Sequence, residues 1–253
     1  MAAAANLVAL QAETVRAFDA FIREAEAAME ETLRGGGSFL WSDGSLDRVR
    51  RLQRGEILAQ LWSGDQPVEV PHGLIHDWIG AASVPGATVD RTLALIQDYD
   101  NHGNIYMPDV MDSKLISHRG DDFKIYLRLL KKKIITVVLE TDHDVHYSRL
   151  DRSRCYCRSH STRIAEVQDA GKASESVLPP DTGHGFLWRL YSYWKFQERD
   201  DGTLIECRAI SLTRDIPASL KWIIQPIIRN LPKDSLVNTL AATRHALVSG
   251  WRC

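Results

Sequence analysis

Leu220, Ile223, Ile224, Ile227, Ile228 and Leu231 recur at i, i+3, i+4, i+7, i+8 and i+11. That is one face of a helix with about 3.6 residues per turn. Pro217 suits a first helical position, where a missing N–H leaves nothing unpaired. After Pro232 the stripe resumes at Leu236, Leu240, Thr243 and Leu247, and Gly250 is a stop signal. Pro226 and Pro232 predict a kink or break, since each lacks a donor and crowds the carbonyl one turn back. A helix this apolar over Pro217 to Val248 must be covered. The chain before it alternates like a succession of antiparallel strands, so its natural partner is the concave face of a sheet.

The strand signals begin at Val68 to Val84, an apolar run closed by Pro85-Gly86. Thr88 is a good N-cap for a helix through Leu93, Leu95 and Ile96. Val110 to Ser117, a turn at Arg119-Gly120-Asp121, and the alternation of Phe123, Ile125, Leu127 and Leu129 predict a hairpin. Lys131 to Lys133 form its next tip, and Ile135, Val137, Leu139 and Thr141 share one face of the return strand. The opposite face carries Glu140, Asp142, Asp144 and His146, read as solvated. Cys155, Cys157, Ser159 and Ser161 line one face of the following strand. Small side chains in a row leave space above a sheet, for a closely packed helix or for a ligand.

Two final strands, Phe186 to Glu198 and Thr203 to Thr213, meet at Asp200-Asp201-Gly202. With Asp200 and Asp201 at the centre of the turn, Phe196 faces Ile205, Trp194 faces Cys207 and Ser192 faces Ala209. On the other side Lys195 faces Glu206, Tyr193 faces Arg208 and Tyr191 faces Ile210. The apolar side, which Trp188 and Leu190 extend, is assigned to the interior against the long helix.

Ahead of these strands, Leu7 to Arg34 is predicted as one helix with a stripe of Val8, Val15, Phe18, Ile22, Met29 and Leu33, ended by Gly35 to Gly37. Its charged side is acidic, which favours docking on the outside of the domain over a membrane surface. Gly55 to Trp62 suggests a short strand. The expected organisation is an N-terminal helix and connecting segment over 1–62, then an α+β domain over 63–253.

A formal net charge of -2 offers no basic surface for nucleic acid. No apolar run approaches the ~20 residues of a membrane span. The first ten residues lack an export signal, which predicts a cytoplasmic protein by default, or a periplasmic one if a signal has been removed. Cys155, Cys157, Cys207 and Cys253 are too few for a disulfide scaffold, and Cys155 and Cys157 lack the second pair a zinc ribbon needs. Asp98, Asp100, His102, Gly103, Asn104 and Asp109 match a calcium-loop spacing. The chemistry fails at two positions, because His102 is not a hard oxygen ligand and Asp109 stands where a bidentate Glu is needed. No metal or other cofactor is called for.

The order of strand, short helices, about six antiparallel strands and a long helix resembles the helix-grip fold of the START-like superfamily, which includes polyketide cyclases and lipid-transfer domains. The resemblance covers Val68 to Val248. It is most specific to a group of bacterial members at Ile75-His76-Asp77-Trp78-Ile79-Gly80, Val84-Pro85-Gly86-Ala87-Thr88, Gln97-Asp98-Tyr99-Asp100, Gly185-Phe186-Leu187-Trp188-Arg189-Leu190 and Ser211-Leu212-Thr213-Arg214-Asp215-Ile216-Pro217. It implies a fold and a cavity rather than a reaction.

The function expected is therefore binding of a hydrophobic small molecule, lipid or polyketide-like, between sheet and C-terminal helix. The candidate lining is Trp78, Phe123, Leu127, Trp188, Trp194, Cys207, Trp222 and Ile223, with Arg189 to hold an anionic oxygen. A cyclase or hydrolase in the same cavity is the alternative, with His76, His160 and Tyr191 as titratable candidates. No nucleophile–base spacing is visible, so no catalytic residue is assigned. A third reading is an interaction protein using the N-terminal helix or Trp251.

Overall fold

The computed structural model describes residues 7–62, 64–132, 136–215 and 221–251, with side chains for all of these except 36 and 221–230. In chain order the elements are β1 (Val8–Ala9), α1 (Ala12–Glu31), α2 (Leu46–Gln53), β2 (Leu58–Leu61), β3 (Val68–Val70), β4 (Gly73–Pro85), α3 (Val89–Gln97) and α4 (His102–Ile105). They continue with β5 (Val110–Arg119), β6 (Asp122–Lys132), β7 (Thr136–Arg149), β8 (Arg154–Gln168), β9 (Ser176–Val177), β10 (Thr182–Gly183), β11 (Arg189–Arg199), β12 (Gly202–Arg214) and α5 (Lys221–Val248).

One antiparallel sheet runs β2-β4-β12-β11-β8-β7-β6-β5, with β3 added to β4 and β9 to β8. From β5 to β12 it is a meander in which each long strand lies beside its predecessor. The last of them then docks against β4, and α3 and α4 carry the chain from β4 to the far edge. With α5 laid across β4, β12 and β2, this is the expected helix grip, an α+β fold.

The final hairpin has the expected register. Phe196 pairs with Ile205, Trp194 with Cys207 and Ser192 with Ala209, while Lys195, Tyr193 and Tyr191 pair with Glu206, Arg208 and Ile210. Its apolar side faces α5. Leu236, Leu240 and Leu247 of that helix are buried in one core with Trp78, Ala82, Cys155, Cys157, Phe196, Ile205 and Cys207. Each buried leucine contributes about 1.5–3 kcal/mol. Gly80 permits the close approach: a Cβ there would stand 2.8 Å from Leu240 and 2.9 Å from Leu236.

Several expectations are corrected. Neither Pro226 nor Pro232 ends α5, which is continuous over both; a proline inside a helix deletes one hydrogen bond, and the turns on either side continue. Pro217 lies outside the described residues. Val8 and Ala9 are not helical but form β1 against Thr182 and Gly183 of β10, and α1 starts at Ala12. The run Val68 to Val84 is a hairpin, β3 to β4, turning at Pro71-His72 with His72 at φ 54°. Lys131 and Lys132 belong to β6, and Lys131 lies 3.7 Å from Asp109 rather than at a free tip; Lys133 is outside the described residues.

The convex face of the sheet is covered as well. Thr14, Phe18, Ile22, Ala25 and Met29 form the buried stripe of α1, packing on Ile75, Tyr193, Ile210 and Leu212. Polar groups of β4, β11 and β12 latch the N-terminal segment there. Glu206 accepts from the backbone N–H of Trp41 and Ser42, both at 2.8 Å. Lys195 Nζ donates to Phe39 O. Arg208 pairs bidentately with Asp77 at 2.9 and 2.6 Å, beneath the ring of Trp62. No described helix is long and apolar enough to cross a membrane.

Candidate functional site

Strand alternation decides which side chains meet α5. On β4 these are His76, Trp78 and Ala82, and on β12 Ile205, Cys207, Ala209, Ser211 and Thr213, which pair with them. On β11 they are Leu190, Ser192, Trp194 and Phe196, facing Ser159, Cys157 and Cys155 of β8. On β7 and β6 they are Thr141, His143, Val145, Phe123, Ile125 and Leu127.

Most of this face is buried, but six side chains on it are not. Leu127, Ser159, Leu190, Ser192, Trp194 and Ala209 remain half-buried although they lie on inner strands with neighbours on both sides. Ala209, Ser192 and Ser159 are successive cross-strand partners, so these three half-buried side chains adjoin across β12, β11 and β8. None of the six side chains is charged.

The polar groups around the patch are neutral. Burial pushes His76 and His143 down to about 4, so both are uncharged imidazoles near neutrality. Burial raises the thiols of Cys157 and Cys207, which makes them inert small apolar groups. Trp194 Nε1 donates to Ser192 Oγ at 3.3 Å. Thr213 Oγ1 donates to Arg214 O, so the 3.1 Å contact with His76 is Nε2–H donating to Thr213. That leaves His76 Nδ1 a buried acceptor without a partner among the described residues, and Trp78 Nε1 two residues along is a buried donor without one among them.

The sequence-predicted lining divides. Trp78, Trp194 and Cys207 lie together on the concave face, with Phe123 and Leu127 further across it. Trp188 is buried in the α1 cluster on the convex side. Regular alternation starts only at Arg189, so the indole escapes the face that Leu190 and Trp194 share. Arg189 is held by Asp181 at 2.6 Å and by the Trp188 carbonyl, at the sheet's end. Trp222 and Ile223 fall in α5 on the stretch whose side chains lie outside the described residues.

Of the titratable candidates, only His76 faces α5. His160 and Tyr191 sit under α1, stacked at 4.0 Å. His160 Nε2 is 2.9 Å from Glu26 Oε1, an ion-pair contact rather than an aligned hydrogen bond. In the calcium-like stretch the groups are engaged within the fold: Asp100 accepts from Leu115 N and His102 bonds Ile96 O. Sequence reasoning missed His143, Thr141 and Ser192. The signal was present, since His143 continues the Leu139–Thr141 parity and Ser192 is the partner of Ser159.

Two shallow clefts lie apart from the neutral patch. One, of about 470 Å³, is lined by Asn101, Asn104, Ile105, His245 and Trp251 among others. The second, of about 340 Å³, includes Asp122, Lys124, Asp144, His146, Arg158 and His160. Neither is the enclosed volume beneath α5 that the resemblance implies.

No family model matches the sequence, and no curated protein matches it. Among solved structures, the chain is similar to the STAR-related lipid transfer protein of Xanthomonas axonopodis. Identity is 16%, over 75% of this chain and 98% of that one, with TM-score 0.48. It is also similar to the Zhui aromatase/cyclase of a Streptomyces species, with 10% identity over 71% and 97% and TM-score 0.49. A protein of Thermus thermophilus shows 12% identity over 69% and 98%, with TM-score 0.49.

Proposed function

We propose that the concave face binds a neutral, largely apolar small molecule bearing hydroxyl or carbonyl oxygens, held between the sheet and α5. The observation that carries this reading is the half-buried patch of Leu127, Ser159, Leu190, Ser192, Trp194 and Ala209 in the middle of a sheet whose two faces are covered by α5 and α1. Inward-facing residues of inner strands are normally sealed by packing. Here they are only half-buried, among apolar and uncharged polar groups, the composition of a small-molecule site. The Trp78 donor and the His76 acceptor, unpaired among the described residues, supply further polar contacts for a ligand hydroxyl if it displaces what covers them.

Titration with Nile red and with a fluorescent fatty-acid methyl ester tests the reading. Saturable binding at one site is expected, with quenching of Trp194. Ala209→Trp and Ser192→Phe each fill the patch and abolish the signal without lowering the thermal midpoint. Binding that is absent, or that survives both substitutions unchanged, refutes it.

A further inference from the structure

Ser159, His143 and Thr141 form a directed chain on the concave face. Thr141 Oγ1 donates its proton to Leu127 O at 3.2 Å, so towards His143 it acts as an acceptor. The 3.0 Å contact between His143 Nε2 and Thr141 Oγ1 is therefore Nε2–H donating to Thr141. The tautomer follows: Nδ1 carries the lone pair, and it faces Ser159 Oγ at 3.5 Å. That separation is at the outer limit of hydrogen bonding, as nucleophile–base contacts often are in ligand-free sites. Ser159 is half-buried and lies within the accessible patch, whereas His143 is buried behind it.

Two further observations point the same way. The ladder between β7 and β8 slips between Asp142 and His143, where Thr162 of β8 is the extra residue, while His143 keeps its inward alternation opposite Ile125. Beside Ser159, its cross-strand partner Ser192 accepts from Trp194 Nε1, and its own proton has no acceptor among the described residues. Directly opposed side chains in an antiparallel pair stand about 5 Å apart at Cβ, so Ser192 can donate to an oxygen bound over Ser159.

We infer that Ser159 is an acyl-accepting nucleophile, with His143 as its general base, Thr141 as the positioning residue and Ser192 as the oxyanion donor, and that the substrates are uncharged esters. The inference rests on the binding proposal for its preference among esters, not for its chemistry. Ser159 Oγ attacks the ester carbonyl carbon while its proton passes to His143 Nδ1. The carbonyl π pair moves to oxygen and is met by Ser192. The carbon–oxygen bond to the leaving alcohol breaks, and that alcohol takes the proton from Nδ1. Water then attacks the acyl-serine and gives a proton to Nδ1. The acid leaves, and the proton returns to Ser159 Oγ.

The test uses p-nitrophenyl acetate, butyrate and decanoate with the full chain, following p-nitrophenolate release and intact mass. An acyl adduct mapped to Ser159 is expected. Ser159→Ala removes it, and His143→Gln slows release about 100-fold or more, the usual scale of general-base catalysis. Thr141→Val lowers kcat with KM unchanged, which a purely structural role would not do. Ser159→Cys restores a nucleophile beside His143 and is alkylated by iodoacetamide ahead of the buried cysteines. A preference for decanoate supports both readings. Acylation by acetate alone supports the nucleophile and counts against the apolar site. No adduct at Ser159 with any ester, in protein with an unchanged thermal midpoint that still binds Nile red, overturns the inference and leaves the binding proposal standing.

Discussion

Arg208 and Asp77 meet through two hydrogen bonds of 2.9 and 2.6 Å, both side chains nearly inaccessible, between β12 and β4. The pair lies on the convex face under Trp62, so it is buried only because the N-terminal segment crosses it. Removing one partner leaves a charge buried alone. Arg208→Ala or Asp77→Ala should each cost about 3–5 kcal/mol in urea denaturation. The replacement of both by Met and Leu should cost far less. A double-variant loss equal to the sum of the two single losses would mean the two charges do not act as a unit.

Gly80 sets the distance between β4 and α5. Gly80→Ala drives a methyl against Leu236 and Leu240 and should destabilise by about 1–3 kcal/mol, the range for overpacking. Adding Leu236→Ala should return part of that loss. Additive losses in the double variant would show that the helix moves away as a body instead.

Three buried histidines set the acid response. His76, His102 and His143 are each pushed down to about 4 by burial. Their unfolded value is near 6.5, so between these limits the unfolded chain binds more protons. Stability is thus fully present above about 6.5 and declines as pH falls towards 4, by about 3 kcal/mol per histidine. Urea midpoints measured across this window should fall, and His76→Gln should remove about one third of the slope. A flat profile would show that the imidazoles protonate in the folded state.

Glu26 adds a more local effect. The close contact with His160, opposed by burial and helped by the Tyr193 hydroxyl, holds its carboxyl below the ordinary value. A depressed carboxylate stabilises above its unfolded value of 4.5 and loses that contribution as pH drops through the folded value. Amide exchange in α1 should therefore accelerate further below about pH 4.5. Glu26→Gln should remove that further acceleration.

Much of the architecture was legible in the sequence, and the reasons are local. Asp200-Asp201-Gly202 pins the last hairpin, so alternation alone assigns Trp194 to α5 and Tyr193 to the opposite face. Leu236, Leu240 and Leu247 follow from helical spacing. Trp188 was misplaced because alternation carries no information past the point where a strand ends. The Pro71-His72 turn was hidden because the apolar run is continuous across it and His72 takes a left-handed backbone that favours glycine or asparagine. His143 was overlooked because its parity gives only its face, and its meaning depends on Ser159 in the next strand, which a single segment does not display. The polar partners of Glu206 and Arg208 were equally invisible, since Trp41, Ser42 and Trp62 are distant in sequence.

The boundary expected at residue 62 runs between elements that the sheet joins. β2 hydrogen-bonds to Trp78–Ala81 of β4, and α1 covers Ile75, Ile210 and Leu212. A fragment beginning at 63 would expose the N–H and C=O groups of Trp78–Ala81 as an open sheet edge beside bare apolar surface. Open edges of that kind recruit strands from other copies. The N-terminal segment thus works as a built-in guard against aggregation, and shortened versions of this chain should precipitate even where their remaining core is intact.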